Sequence, residues 1–121
     1  LPIVPNQKRP DIPRWSAINF RDPKTVGQYI KQYPDHGVGL KTGDVVVIDI
    51  DCPQEDLAIE FQNRCFSMLG EAPVRIGKAP KRALYYRIDG EPLNKKATKR
   101  HSADGSFFQV EVLGQGQQCV I

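Results

Sequence analysis

The chain has few cysteines and few histidines. Cys52, Cys65 and Cys119 are odd in number and widely spaced, they form no C-x-x-C pair, and only two histidines accompany them. A disulfide framework and a zinc site both require such residues in larger number or at closer spacing. These absences argue against both kinds of site and favour a reducing, cytoplasmic compartment.

Long hydrophobic runs are missing as well. The longest apolar run is far too short to span a bilayer, and the chain does not start with the basic and apolar segments of a signal peptide. There is no internal repeat and no low-complexity segment. The 121 residues are 40% hydrophobic and 26% charged, as in an ordinary globular protein. We therefore expect one domain over residues 1–121.

The sequence begins with a proline-rich segment and ends within an expected strand. Residues 1–15 carry four prolines, so we expect them to form an extended arm and not a helix. The chain begins without methionine and stops inside an expected strand. We therefore expect it to be part of a longer protein, with the C-terminal part of the domain missing.

A run of apolar residues that ends in two carboxylates is the most informative feature of the sequence. Residues 45–48 are all β-branched, and Asp49 and Asp51 follow them with Ile50 between. Because side chains alternate along a strand, the two aspartates share a face. Carboxylates near a core are costly unless a cation or hydrogen bonds meet them, so the pattern favours a metal site. The simpler alternative is that both aspartates end the strand in a polar loop.

A third carboxylate, Glu111, lies within a second apolar strand pattern, residues 107–113. Three carboxylates from neighbouring strands can hold Mg²⁺ or Mn²⁺, since these hard cations prefer oxygen ligands. We therefore predict that Asp49, Asp51 and Glu111 bind metal and take part in catalysis. Taken alone, Glu111 also fits an ordinary strand residue that faces solvent.

The net charge of +3 is mild, but the basic residues are clustered while acids dominate residues 49–60. This separation of charge favours a polyanion beside a metal. The predicted nucleotide-binding residues are Arg75, Lys78, Lys81 and Arg82. The predicted DNA-binding residues are Lys95, Lys96, Lys99 and Arg100. The alternative for each cluster is a solvated basic surface.

The order of expected elements predicts an α+β fold, with a mixed or antiparallel sheet and flanking helices. Helices are expected over residues 23–33, after the Asp22-Pro23 start signal, and from Pro53 to Gly70. The expected hairpins join residues 37–40 to 45–51, 73–77 to 82–88, and 106–113 to 117–121. Residues 89–105 are expected to form a long polar loop.

In chain order, these pieces resemble the N-terminal primase-polymerase domain of phage and plasmid replication proteins, a branch of the archaeo-eukaryotic primase superfamily. The likeness runs nearly end to end. The matching motifs are K-x-P at Lys8 to Pro10 with Trp15, the glycine-rich residues 37–43, D-x-D at Asp49 to Asp51, R-x-G-x-x-x-K at Arg75 to Lys81, and the late acid Glu111.

The resemblance implies an RRM-like catalytic core that transfers nucleotides in phage or plasmid DNA replication. It implies Mg²⁺ or Mn²⁺ as cofactor, nucleoside triphosphates and a DNA template or primer as partners, and a helicase or initiator module elsewhere in the protein. The compartment would be the cytoplasm of a bacterium or of a phage-infected host cell. The sequence departs from the family where a histidine is usual, because the matching place within residues 82–86 holds Ala83 or another residue that is not histidine. Its third acid is Glu instead of the commoner Asp. These departures bear on catalytic competence more than on fold.

Two other functions remain open at this point. A catalytically inactive member could still bind nucleotide or DNA through its basic clusters, and such binding would not need Mg²⁺. A metal-dependent nuclease also uses acids on adjacent strands, but its common pattern has a lysine beside the late acid, and Val112 follows Glu111 instead. The aromatic residues of these strands, Tyr85, Tyr86, Phe107 and Phe108, suit either base stacking or the core.

Overall fold

The computed structural model describes residues 1–101 and 105–121, and of residues 100 and 101 only the backbone. Within this part, two helices accompany eight strands that form antiparallel sheets, and the fold is α+β, as predicted. The strands are β1 Pro2–Ile3, β2 Gly37–Lys41, β3 Val45–Asp51, β4 Val74–Ile76, β5 Arg82–Arg87, β6 Lys96–His101, β7 Phe107–Leu113 and β8 Gln118–Val120. The helices are α1 Pro23–Gln32 and α2 Glu55–Leu69, with a 3-10 turn at Trp15–Ala17.

The described residues divide into two compact units. The first contains Leu1–Thr42 and Gly116–Ile121, and the second contains Gly43–Gln115. Within the described ranges, no helix is both long enough and apolar enough to cross a membrane.

The first unit contains an antiparallel sheet with strand order β1-β2-β8. Gly39 permits this packing, because a Cβ at that position would lie 2.7 Å from Cδ1 of Ile3. Helix α1 begins where the sequence predicts. The Asp22 carboxylate accepts hydrogen bonds from the backbone N–H groups of Lys24 and Thr25, and Pro23 takes the first helical position.

Two of the predicted hairpins are wrong. Strand β2 pairs with β1 and β8 instead of with β3, and β8 pairs with β2 instead of with β7. The reason lies in β3, which has β5 on one side and β7 on the other and so has no free edge for β2. The third predicted hairpin, β4 with β5 around residues 77–81, is confirmed.

The second unit contains an antiparallel sheet of order β4-β5-β3-β7-β6, with the D-x-D strand β3 at its centre. The prediction of a long loop over residues 89–105 is wrong in part, because Lys96–His101 form the edge strand β6. This strand is polar and rich in lysine, which is typical of an edge and hides its strand character in the sequence. Residues 102–104 of the predicted loop lie outside the described residues.

Side-chain alternation gives this sheet two different faces. On one face, which we call the helix face, Ile48, Ile50, Leu84 and Phe108 pack with Ala58 of α2 in the core. Helix α2 ends at Gly70, whose φ of 89° fits the glycine predicted to close it. The opposite face carries Asp49, Asp51 and Glu111, and we call it the acid face.

Candidate functional site

The register of three strands places the first carboxylate pair. Asp49 of β3 lies between Ala83 of β5 and Glu111 of β7, as direct cross-strand neighbours. Arg75 of β4 continues this row beyond Ala83. Two acids that are far apart in the sequence thus become adjacent on one face, because directly opposite residues in an antiparallel pair have Cβ atoms about 5 Å apart.

Asp51 lies on the same face, two residues further along β3. Its side chain is half-exposed, and its Oδ1 is 2.5 Å from the Lys81 ammonium. Gln109 of β7 is its cross-strand neighbour. Lys81 belongs to the turn between β4 and β5, residues 77–81, which we call the basic turn. Its contact with Asp51 brings a positive charge from this turn to the acid face.

Glu111 also contacts a lysine. The Lys95 ammonium lies 2.8 Å from Glu111 Oε1, and the Gln109 side-chain amide donates to the same oxygen at 3.3 Å. The Glu111 side chain is only 20% exposed, against 44% for Lys95. Partial burial strengthens such a pair relative to one that is fully surrounded by water. Each of these two carboxylates thus already stabilises a positive charge.

The position of Lys95 depends on a glycine at the end of β7. A Cβ at Gly114 would lie 2.0 Å from the Leu93 carbonyl oxygen, so only glycine allows the backbone before Lys95 to approach this closely. The Gln115 N–H then donates to that same carbonyl oxygen at 2.7 Å. These contacts fix the start of β6 beside β7 and bring Lys95 next to Glu111.

The three carboxylates supply the oxygen donors that Mg²⁺ and Mn²⁺ prefer. Their placement on one face fits a divalent ion by donor chemistry, and the two lysines show that this face accommodates positive charge. Among residues 1–101 and 105–121, however, no three His, Cys, Asp or Glu side chains come close enough together to hold a metal ion. The acids share a face without converging on one point.

The basic turn between β4 and β5 lies at one end of the acid face. Its backbone is closed by a hydrogen bond from Lys81 N–H to the Lys78 carbonyl oxygen at 3.1 Å, and the Ala79–Pro80 peptide bond is cis. The Arg75 guanidinium lies over Gly77, where a Cβ would be 3.0 Å from Arg75 Nη1. Arg75 and Lys78 are exposed. Arg75 and Lys81 thus share the acid face with the carboxylates.

Arg82 has a different position from the other basic residues of this segment. Its cross-strand neighbour is Ile50, so it lies on the helix face, and it is buried. Its guanidinium donates to the Pro80 carbonyl oxygen at 3.0 Å and to Gln62 Oε1 of α2 at 2.8 Å. The structure therefore separates Arg82 from Asp49 and Asp51, and its contacts attach the basic turn to α2.

The second basic cluster does not form one surface. In β6, Lys96 lies opposite Val112, whereas Lys99 lies opposite Gln109, so the two lysines point to different faces. Lys95 and Lys99 lie on the side of the acid face. Arg100 is in register with Phe108, and its side chain lies outside the described residues. The residues predicted to bind DNA together are thus divided by the alternation of an edge strand.

Two of the four aromatic residues predicted to serve in base stacking or in the core belong to the core. Phe108 is buried, with its ring 5.6 Å from that of Phe61. Tyr86 packs against the same cluster, and its hydroxyl donates to the Gly70 carbonyl oxygen at 2.9 Å. Burial, and to a smaller extent the nearby Cys65, raises the pKa of Tyr86. Phe107 is 65% exposed. Phe108 and Tyr86 are therefore not available for base stacking, which leaves the half-buried Tyr85 and the exposed Phe107.

Sequence reasoning missed the contact between Lys95 and Glu111. The nuclease-type pattern has a lysine next to the late acid in sequence, whereas the lysine beside Glu111 in space is Lys95, the residue just before β6. The signal available in the sequence is Gly114, a glycine that lets the backbone before Lys95 approach β7 closely. This reason for a glycine becomes evident only when β6 is recognised as a strand.

The comparisons with known proteins agree with the expected family. The family model described as bifunctional DNA primase/polymerase, N-terminal, matches residues 1–121. The chain therefore belongs to this family, and the resemblance noted from its motifs is confirmed. Family membership supports a function of the DNA primase/polymerase type in DNA replication. Comparisons with curated proteins and with solved structures give no significant match.

Proposed function

We propose that this chain is a metal-dependent nucleotidyltransferase domain, a DNA primase/polymerase that acts in phage or plasmid replication in the cytoplasm. The observation that carries the proposal is the cross-strand pair of Asp49 and Glu111, with Asp51 on the same face. In this proposal these three residues bind Mg²⁺ or Mn²⁺. A nucleoside triphosphate and a DNA primer on its template are the substrates, and a helicase or initiator module is a partner in the full-length protein.

The proposed reaction is attack of a primer 3′-hydroxyl on the α-phosphate of the nucleotide, with release of pyrophosphate. Divalent ions, when bound, would supply activation of the hydroxyl and stabilisation of the leaving group. The chain itself contributes position and charge. Arg75, Lys78 and Lys81 would contact the triphosphate, since guanidinium and ammonium groups neutralise phosphate oxygens.

Arg82, Lys96 and Lys99 do not contact the triphosphate in this proposal. Arg82 holds the basic turn against α2 through Gln62 and Pro80. Lys99, on the side of the acid face, would contact the DNA backbone, whereas Lys96 lies on the other face of the edge strand and takes no part in this contact. Such contacts lose affinity as salt rises, because phosphate binding releases counterions.

One observation favours a second candidate function, which is nucleotide or DNA binding without catalysis. Strand β5, where the resemblance predicts a histidine, contains none, and the residue that the register puts directly beside Asp49 is Ala83. The site therefore lacks a polar side chain next to Asp49 on the β5 side. A member of this kind would bind nucleotide or DNA through its basic clusters without needing Mg²⁺, and it would not transfer a nucleotide.

Primer extension tests the proposal. A labelled primer on a DNA template is incubated with Mn²⁺, deoxynucleotides and either the wild-type chain or Asp49→Asn. The proposal predicts extension that EDTA abolishes and that the substitution lowers by at least about a hundredfold, because several kcal/mol of transition-state stabilisation depend on the metal. The matched control is Asp89→Asn, an exposed aspartate of the same unit. Absence of extension together with nucleotide or DNA binding that persists in EDTA would overturn catalysis in favour of the binding module.

A further inference from the structure

The third carboxylate of the acid face has a counter-ion of its own. Lys95 contributes its ammonium to Glu111 Oε1 at 2.8 Å, and the backbone that carries this lysine is fixed by Gly114 and Gln115. Lys95 belongs neither to the basic turn nor to the motifs that carry the family resemblance. Its contact with a candidate metal ligand therefore needs its own explanation.

Glu111 and Asp49 are like charges on directly opposite residues, an arrangement that is unfavourable unless a cation compensates it. Without metal, the Lys95 ammonium provides that compensation for Glu111. A divalent ion bound to Glu111 would compete with the ammonium for the same carboxylate, because both are cations and the carboxylate has a limited number of lone pairs. Metal binding at Glu111 therefore weakens the ion pair with Lys95.

A triphosphate bound with metal at the acid face would offer the released ammonium a second anion. Lysine has a flexible stem and a compact charge, so its head can move between nearby acceptors. Lys95 is 44% exposed, which leaves it room to move. If a nucleotide triphosphate binds with metal at the acid face, its phosphates are the nearest new negative charges.

We propose that Lys95 is an exchangeable counter-ion, which pairs with Glu111 in the metal-free chain and transfers to the triphosphate when metal and nucleotide bind. This inference rests on the proposed function, since it takes Glu111 to be a metal ligand. It assigns to Lys95 a positioning and specificity role: the ammonium opposes binding of bare metal ions and favours binding of metal together with nucleotide.

Two binding measurements on three variants test the exchange. Mn²⁺ alone is titrated by electron paramagnetic resonance, and dATP is titrated calorimetrically in saturating Mn²⁺. The variants are Lys95→Gln, Lys95→Arg and the matched control Lys96→Gln, which removes the same charge from the adjacent residue on the other face. We expect Lys95→Gln to bind Mn²⁺ about two- to fivefold more tightly, the range that a partly exposed ion pair supports.

The same Lys95→Gln variant should bind dATP with Mn²⁺ about tenfold more weakly, since a charge-assisted contact with phosphate is lost. Lys95→Arg should restore both affinities to within about twofold of wild type, because it keeps the cation. The opposite signs of the two effects distinguish exchange from a merely structural role, which would weaken both. Equal behaviour of Lys95→Gln and Lys96→Gln, or changes of the same sign in both titrations, would overturn the inference.

Failure of the proposed function would give a different result. If wild type and Asp49→Asn/Asp51→Asn bind Mn²⁺ equally weakly, the acids do not form the metal site, and the inference about Lys95 falls with the proposal. If the double variant loses Mn²⁺ while Lys95→Gln behaves as Lys96→Gln, only the inference is overturned.

Discussion

Asp49 of β3 and Glu111 of β7 are direct neighbours across the centre of the sheet. The pairing is a consequence of register, and a slip by one residue would move one of them to the helix face. The core on that face, which includes Ile48, Ile50 and Phe108, fixes the register by burying their side chains. The apolar residues of β3 and β7 thus determine where the carboxylates lie.

Arg82 and Lys78 should differ sharply in their effect on stability. Arg82→Met removes the donor to Gln62 and Pro80 in a buried place, so we expect the free energy of unfolding to fall by about 1–3 kcal/mol. Lys78→Met changes an exposed residue and should stay within about 0.5 kcal/mol of wild type. Urea unfolding of the two variants measures this difference. Equal stabilities would contradict the structural role of Arg82.

Gly114 should tolerate no side chain. Gly114→Ala places a Cβ against the Leu93 carbonyl oxygen, and we expect a loss of about 1–3 kcal/mol of unfolding free energy as the segment shifts. The matched control is Gly27→Ala in helix α1, where nothing lies within 4 Å of the added Cβ. That change should stabilise the chain by about 0.5–1 kcal/mol, because alanine favours helix. Thermal and urea unfolding measure the change in unfolding free energy for both variants. An unchanged unfolding free energy in Gly114→Ala would contradict the close approach of the Leu93 carbonyl oxygen.

Asp22 should make the free energy of unfolding depend on pH in the acidic range. Hydrogen bonds from the Thr25 hydroxyl and from Lys24 N–H lower the pKa of this carboxyl. Desolvation opposes them in part, and a weaker contribution from Thr25 N–H lowers the pKa further. Because the Asp22 carboxyl has a lower pKa in the folded chain than in the unfolded chain, its ionisation stabilises the folded chain at pH values above the unfolded pKa. This stabilisation is lost as the pH falls through the folded pKa.

The comparison that isolates this effect is Asp22→Asn, which keeps an acceptor for the helix N-terminus but does not titrate. Wild type should be the more stable of the two at neutral pH, and the difference should shrink as pH falls below the ordinary aspartate range. Unfolding free energies measured across that range give the result. A difference independent of pH would show that the carboxylate charge contributes nothing at this cap.

The helices could be predicted from sequence because their signals are local. Asp22 with Pro23 starts α1, and Gly70 closes α2, where the structure has them. The pairing of β2 with β8 could not be predicted, because Gly43 and Gly116 look like the turns of local hairpins. Pairing is decided by which strands need two neighbours, and β3 takes β5 and β7.

The candidate site could be predicted only where its signals are local in the sequence. Alternation places Asp49 and Asp51 on one face from sequence alone, while their relation to Glu111 needs the register of β3 and β7. The different faces of Lys81 and Arg82 follow from where β5 begins, which sequence leaves open by a residue or more. The contact of Lys95 with Glu111 depends on β6, whose polar composition predicts a loop.

The central claim is that the acid face binds metal and nucleotide together. Calorimetric titration of a deoxynucleoside triphosphate with Mn²⁺ into wild type and into Asp49→Asn/Asp51→Asn tests it most directly, with EDTA and with Asp89→Asn/Glu91→Gln as the charge-matched control. We predict binding to wild type and to the control, and loss of binding with EDTA or in the Asp49→Asn/Asp51→Asn variant. Binding that is indifferent to metal and to these aspartates would contradict the claim.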